Sequence, residues 1–133
     1  MRAPIWMGVL LLAGCATSSQ SGTAERDVRL GVEAAGAPGA ITLVLQNRSR
    51  DEVGYNLCPS SLERRSGTDW TPVPTARVCT MELRILPPGS DARYVFELPQ
   101  GITAGSYRAR ASVSRGDNGV GYWIESGVFQ VSD

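Results

Sequence analysis

The sequence predicts an all-β domain of about eight short antiparallel strands, a sandwich or a barrel. Three observations carry this. Apolar and polar residues alternate in short runs, the period of a strand with one buried face. Clusters of Gly, Pro, Asn, Asp and Ser separate those runs at regular spacing. No convincing amphipathic helix interrupts them. Hydrophobic residues make up 42% of the chain and charged residues 20%, a balance that can bury a core and argues against disorder.

In chain order, Val28, Leu30 and Val32 alternate with Arg29, Gly31 and Glu33. The turn-forming stretch 35–39 joins them to the strongest run, 40–46, whose Ile41, Leu43 and Leu45 should face inward. Residues 47–51 are a polar turn. Val53, Tyr55 and Leu57 then alternate with Glu52, Gly54 and Asn56 until Pro59 ends the run. A short strand over 61–65 leads through a Ser-Gly-Thr-Asp turn to Trp70, which is expected in the core. Pro72 and Pro74 bar the next stretch from the middle of a sheet, since proline donates no ladder bond.

Met81, Leu83 and Ile85 alternate with Glu82, Arg84 and Leu86, and Pro87-Pro88-Gly89-Ser90 is a firm turn. Ala92, Tyr94, Phe96 and Leu98 form the next apolar set. Tyr107, Ala109, Ala111 and Val113 alternate with Arg108, Arg110 and Ser112 in the clearest hairpin. Its turn is 115–119, where Asn118-Gly119 takes positive φ at little cost. The return strand offers Tyr122, Ile124, Val128 and Phe129 for burial, with a bulge at Gly127.

The first residues have a different character. Arg2 precedes an apolar stretch over 5–13, far below the ~20 residues that span a bilayer. It reads as the core of a signal peptide over 1–14. It ends in Leu12-Ala13-Gly14-Cys15, which resembles the bacterial lipobox, where small residues precede a cysteine that is acylated and becomes the mature N-terminus. The resemblance implies a lipid on Cys15 and membrane attachment, on the outer membrane where the host has one. Residues 15–25 are then the lipidated cysteine and a small, polar, flexible tether, and 26–133 the folded domain.

With Cys15 acylated, Cys58 and Cys79 remain, and an even pair in an oxidising compartment suggests a disulfide. Two thiols so far apart, in a chain without histidine, make half a zinc site at best. No metal or other cofactor is expected. The absence of histidine also removes the Ser-His-Asp and Cys-His arrangements. All 13 basic residues are arginine and 13 acidic residues balance them, so no basic footprint for nucleic acid exists.

Three features are similar to bacterial immunoglobulin-like domains carried by exported lipoproteins. They are a strand ending in Asn47-Arg48-Ser49 followed by Val53-Gly54-Tyr55; Leu62-Glu63-Arg64 ahead of Trp70; and Leu86-Pro87-Pro88-Gly89, a strand, then Gly105-Ser106-Tyr107-Arg108. The resemblance covers roughly 43–131. It implies an immunoglobulin-like antiparallel β-sandwich of about 7–8 strands, with Tyr107 as a tyrosine corner whose hydroxyl bonds backbone. The cysteines do not sit as in antibody domains, so a bridge here would pin middle strands or a loop. Proteins of this family commonly lack an assigned activity, so the resemblance predicts fold better than function. A related resemblance, to the small Bacillus intracellular proteinase inhibitor, implies an alternative role as an envelope protease inhibitor.

Three groups of side chains are candidates for chemistry. Glu63, Asp69 and Glu82 are an acid-base set only if the fold gathers them, and charges at alternate strand positions usually form a solvated face. Arg64, Arg65, Arg108 and Arg110 would make a basic stripe, with 108 and 110 expected outward and solvent-exposed. Tyr122 and Trp123 are adjacent, so a strand sends one of them outward and leaves an aromatic binding surface near the last hairpin. Arg115-Gly116-Asp117 reads as turn composition, and Asn47-Arg48-Ser49 as a chance glycosylation sequon. The expected function is that of a non-enzymatic lipoprotein of the cell envelope, a binding or structural accessory module, with another envelope protein as its partner. The oligomeric state is open.

Overall fold

A computed structural model describes residues 27–36, 38–116 and 119–132. The leader, Cys15 and the tether therefore lie outside the described residues, as do Asp117 and Asn118 of the last hairpin turn.

The described residues form two antiparallel sheets and no helix. The smaller sheet has the order β1 (Val28–Ala34), β2 (Ala40–Asn47), β7 (Asp91–Glu97). The larger is organised around β8 (Gly105–Arg115). One side of β8 takes β4 (Ser61–Ser66) at its start and β3 (Val53–Tyr55) at its end. The other side takes β10 (Phe129–Val131) and β9 (Gly121–Glu125). The outer members are β5 (Asp69–Val73) beside β4 and β6 (Arg84–Leu86) beside β3.

Ten strands are more than the expected seven or eight. The excess arises because two long strands are interrupted: β3 and β4 share one flank of β8, and β9 and β10 share the other. Counting each interrupted pair once gives 10 − 2 = 8. The order is that of an immunoglobulin-like sandwich, three strands against a broader sheet centred on the penultimate long strand.

The core follows from strand parity. Leu43, Leu45 and Phe96 from the smaller sheet meet Val53, Leu62, Ala109, Ala111 and Val113 from the larger, all essentially inaccessible. Small alanines at 109 and 111 let the sheets approach over the middle of β8, while Tyr107 and Val113 fill its ends. The strand runs expected from alternation over 28–32, 41–45, 92–98 and 107–113 all bury their apolar set, fully or in part. Val128, expected inside, is instead half exposed, because residues 126–128 form the break between β9 and β10. At that break Ser126 bridges to Leu30 of β1 and closes one side of the sandwich.

Glu33 on β1 and Arg93 on β7 reach across β2 to pair at 2.6 Å. The hydrogen bond from the guanidinium, helped by its charge, holds the Glu33 carboxyl below the ordinary carboxylate range. A lowered folded-state pKa stabilises above the unfolded value and is lost as the pH falls through the folded one. Both groups are in water, so the contribution is small and salt-sensitive.

Two polar anchors set the ends of the sandwich. Tyr107, 1% exposed, donates its hydroxyl to the Thr103 carbonyl at 2.6 Å, four residues upstream. This is the tyrosine-corner geometry. Tyr107→Phe keeps the ring and strands that carbonyl, and should lower stability by about 1 kcal/mol in chemical denaturation. At the other end, Asn47 lies wholly buried between the 48–51 turn and the Pro87–Ser90 turn. Gly89 takes φ 76° there and donates its N–H to the Asn47 carbonyl at 2.7 Å, a conformation that favours glycine.

Candidate functional site

The outer face of the larger sheet gathers most of the residues singled out from the sequence. Parity puts Glu63 and Arg65 of β4, Arg108, Arg110 and Ser112 of β8, and Trp123 and Glu125 of β9 on that face, opposite Leu62, Ala109 and Ile124. Trp70 joins them because it stands across from Arg65 on β5.

Trp70 is therefore not in the core, contrary to expectation. It lies half-exposed on an edge strand, with the Arg108 guanidinium 4.4 Å and the Arg65 guanidinium 6.0 Å from its ring centre. Its register partner fixes the outcome: Val73 faces Leu62 and turns inward, so Trp70, three positions earlier, turns outward.

Arg108 and Arg110 do point outward, but they are not solvated. Their side chains retain only 21% and 32% of their accessible surface. Arg108 Nε donates to Glu63 at 2.8 Å, and its Nη1 lies 3.2 Å from Glu125. Arg110 Nε sits 3.4 Å from Glu125 and 3.7 Å from Glu63, close enough to pair but without hydrogen-bond geometry. The Arg110 guanidinium is 5.1 Å from the Trp123 ring centre. The result is a ladder, Trp70–Arg108–Glu63/Glu125–Arg110–Trp123, whose two arginines and two glutamates cancel in charge. Cation–π contacts and the shared carboxylates order the side chains and offset their desolvation.

The basic stripe is thus not formed. Arg64 takes the opposite face from Arg65 and donates to the Ala104 carbonyl at 3.2 Å, while Glu63 and Glu125 neutralise the other two arginines. Nor is an acid-base set assembled: Glu63 is held by Arg108, Glu82 pairs with Arg84, and Asp69 sits at the β4–β5 turn. Four hollows of about 520, 570, 330 and 290 Å³ indent the surface, and none of these four gathers two carboxylates. Among the described residues no cluster of three or more His, Cys, Asp or Glu could hold a metal.

The adjacent pair on β9 divides as strand geometry requires. Tyr122 packs against the core, and Trp123 projects outward with 56% of its surface exposed. Beside Trp123 the floor of the face is shallow, with Ser112, Ser114, Gly54 and Gly121 across three strands. Met81, Leu83 and Ile85 rise on the far side of this groove. Their alternation with Leu86 is as read, but the buried member is Leu86, which faces Val53. Ile85 faces Gly54 and so lies outside. A Cβ on Gly54 would clash with Ser114 Oγ and meet Leu83 at 3.0 Å, so glycine there lets Leu83 settle over the sheet.

Cys58 and Cys79 form a disulfide with Cα atoms 5.8 Å apart. It joins the turn between β3 and β4 to the segment between β5 and β6, so it pins loops and not strands. The sequon at Asn47 is closed to any glycan by its complete burial. Arg115 pairs with Asp51 at 2.9 Å.

No protein-family model matches the chain, and no curated protein matches its sequence. Among solved structures it is similar to the archaellum periplasmic stator protein FlaG from Sulfolobus acidocaldarius, with a TM-score of 0.42 and 15% identity, over 74% of this chain and 98% of that one.

Proposed function

We propose that this chain is an exported, lipid-anchored, non-enzymatic module of the cell envelope that binds another envelope protein through the outer face of its larger sheet. The observation that carries the reading is Trp123. It stands mostly in water on a flat sheet face, and a large apolar ring gains by being covered. Arg110 holds it from beneath and is itself held near Glu63 and Glu125. A preordered aromatic of this kind loses little entropy when it docks, which is what makes tryptophan an effective interface anchor. Leu12-Ala13-Gly14-Cys15 supports the lipid, and the Cys58–Cys79 disulfide supports an oxidising compartment.

The test separates anchor from surface. Cys15→Ser should move the protein from the membrane to the soluble fraction while leaving its melting curve unchanged. Trp123→Ala should leave it on the membrane with the same melting temperature, and should abolish chemical crosslinking to its envelope partner in intact cells. Retention of Cys15→Ser on the membrane would refute the lipid, and undiminished crosslinking by Trp123→Ala would refute the surface. Inhibition of an envelope protease by the purified chain would assign it the inhibitor role instead.

A further inference from the structure

We infer that two copies of this chain pair edge to edge, antiparallel, through residues 81–85, with Leu83 on the twofold axis. A sheet edge offers unpaired N–H and C=O groups and is normally blunted by proline, charge or a covering segment. Four of the five edges here are guarded. β5 contains Pro72 and runs into Pro74; β1 and the broken β9–β10 edge are tied to each other through Leu30 and Ser126; and Arg77 Nη2 caps β7 by donating to the Glu97 carbonyl at 2.8 Å. The β6 edge is not. Among the described residues no backbone hydrogen bond leaves the outward side of 81–85, and β6 pairs only inward, with β3.

This same edge displays apolar side chains. Met81 is 99% exposed, Leu83 70% and Ile85 47%. They lie on one face of the strand, with Glu82 and Arg84 on the other, where they pair weakly along the strand at 3.4 Å. Arg84–Leu86 is held in strand form by β3, and the segment ahead of it is tied at Cys79 by the disulfide. Fixing both ends of 81–83 lowers the ordering cost of extending the strand through it.

The occupant is a second copy because the five residues are complementary to themselves. In an antiparallel pair centred on Leu83, Met81 meets Ile85 of the second copy, Glu82 meets its Arg84, and Leu83 meets Leu83. Each off-axis pair occurs twice. The apolar pairs form on one face and two cross-strand ion pairs on the other, the combination that stabilises adjacent strands. A one-residue slip in either direction would set Leu83 against Glu82 or Arg84, so the register is specified. The pairing is isologous and closes at two copies. It leaves Trp123, on the sheet face, uncovered. A strand addition this short buries less than the ~1,200 Å² of a standard interface, so self-association in the micromolar range is expected.

Charge exchange tests this on the complete chain in mild, density-matched detergent, read by sedimentation equilibrium. The unaltered chain should dimerise. Glu82→Arg alone sets Arg against Arg, and Arg84→Glu alone sets Glu against Glu. Each should weaken self-association at least about tenfold with an unchanged melting curve. An equimolar mixture of the two variants should dimerise again, and so should the double exchange. If either variant folds poorly, Leu83→Lys, which places like charges together on the axis, should give the same loss. A monomeric unaltered chain, a dimer indifferent to these changes, or a mixture that stays monomeric would overturn the inference. So would an edge that captures an extended partner peptide without self-association.

Discussion

Asn47→Ala is expected to destabilise the domain by roughly 3 kcal/mol and to lower its melting temperature by about 10 °C or more. The side chain makes four hydrogen bonds from a site with no access to water. Its Nδ2 donates to the Asp51 and Leu86 carbonyls at 2.8 and 3.0 Å, and its Oδ1 accepts from the Ser49 N–H and hydroxyl at 3.0 and 2.6 Å. Alanine would remove the side-chain partner of the Leu86 carbonyl and of the Ser49 N–H, and would leave the Asp51 carbonyl with the Ser49 hydroxyl alone, at 3.1 Å. Loss would also loosen the join between the end of β2 and the turn before β7. Asn47→Asp separates the causes. It keeps both acceptor bonds but sets a carboxylate against two carbonyls, so it should be at least as harmful at neutral pH and recover in part once protonated. Denaturant melts of the three proteins at pH 7 and below pH 4 provide the check. Equal stability of Asn47→Ala and the parent would contradict the role.

Cys58→Ser is the second large effect. The bridge closes a loop of 21 residues, for which chain-entropy estimates give roughly 3 kcal/mol. The melting temperature should fall by about 10 °C under oxidising conditions and stay unchanged in the presence of reductant, where the parent has lost its own bridge. The segment over 74–83 makes no backbone–backbone hydrogen bond among the described residues; the covalent tie restrains it together with side-chain bonds, Asn56 Nδ2 to the Thr80 carbonyl and Arg77 to the Glu97 carbonyl, both at 2.8 Å. Amide exchange there should rise in the variant while β8 stays protected. An equal drop in both buffers would contradict the account.

The legible parts of the sequence were those where many residues vote together. Over Tyr107–Val113 four inward residues alternate with three polar ones, and the phase cannot slip without burying Arg108 and Arg110. The split of Tyr122 and Trp123 followed from strand geometry alone. The cysteine pairing followed from counting. The misread parts depend on partners far away in sequence. Trp70 turned outward because an edge strand takes its phase from its neighbour, through Leu62 and Val73. The buried face of 81–86 is not fixed by its alternation, because a three-residue strand carries too little pattern; Val53 decides it by facing Leu86. Asn47 looked like a turn residue; nothing local tells that its amide reaches a carbonyl 39 positions away. Arg108 and Arg110 looked like solvated charges because their neutralising partners, Glu63 and Glu125, sit on other strands.

The proposed function requires export and removal of the leader at a lipidated Cys15. Intact-mass analysis of the protein extracted from membranes tests this most directly. The expected species begins at Cys15, carries a diacylglyceryl thioether, and is two hydrogens lighter through the Cys58–Cys79 bridge. A species that retains Met1, or one with an unmodified sulfur at position 15, would contradict it.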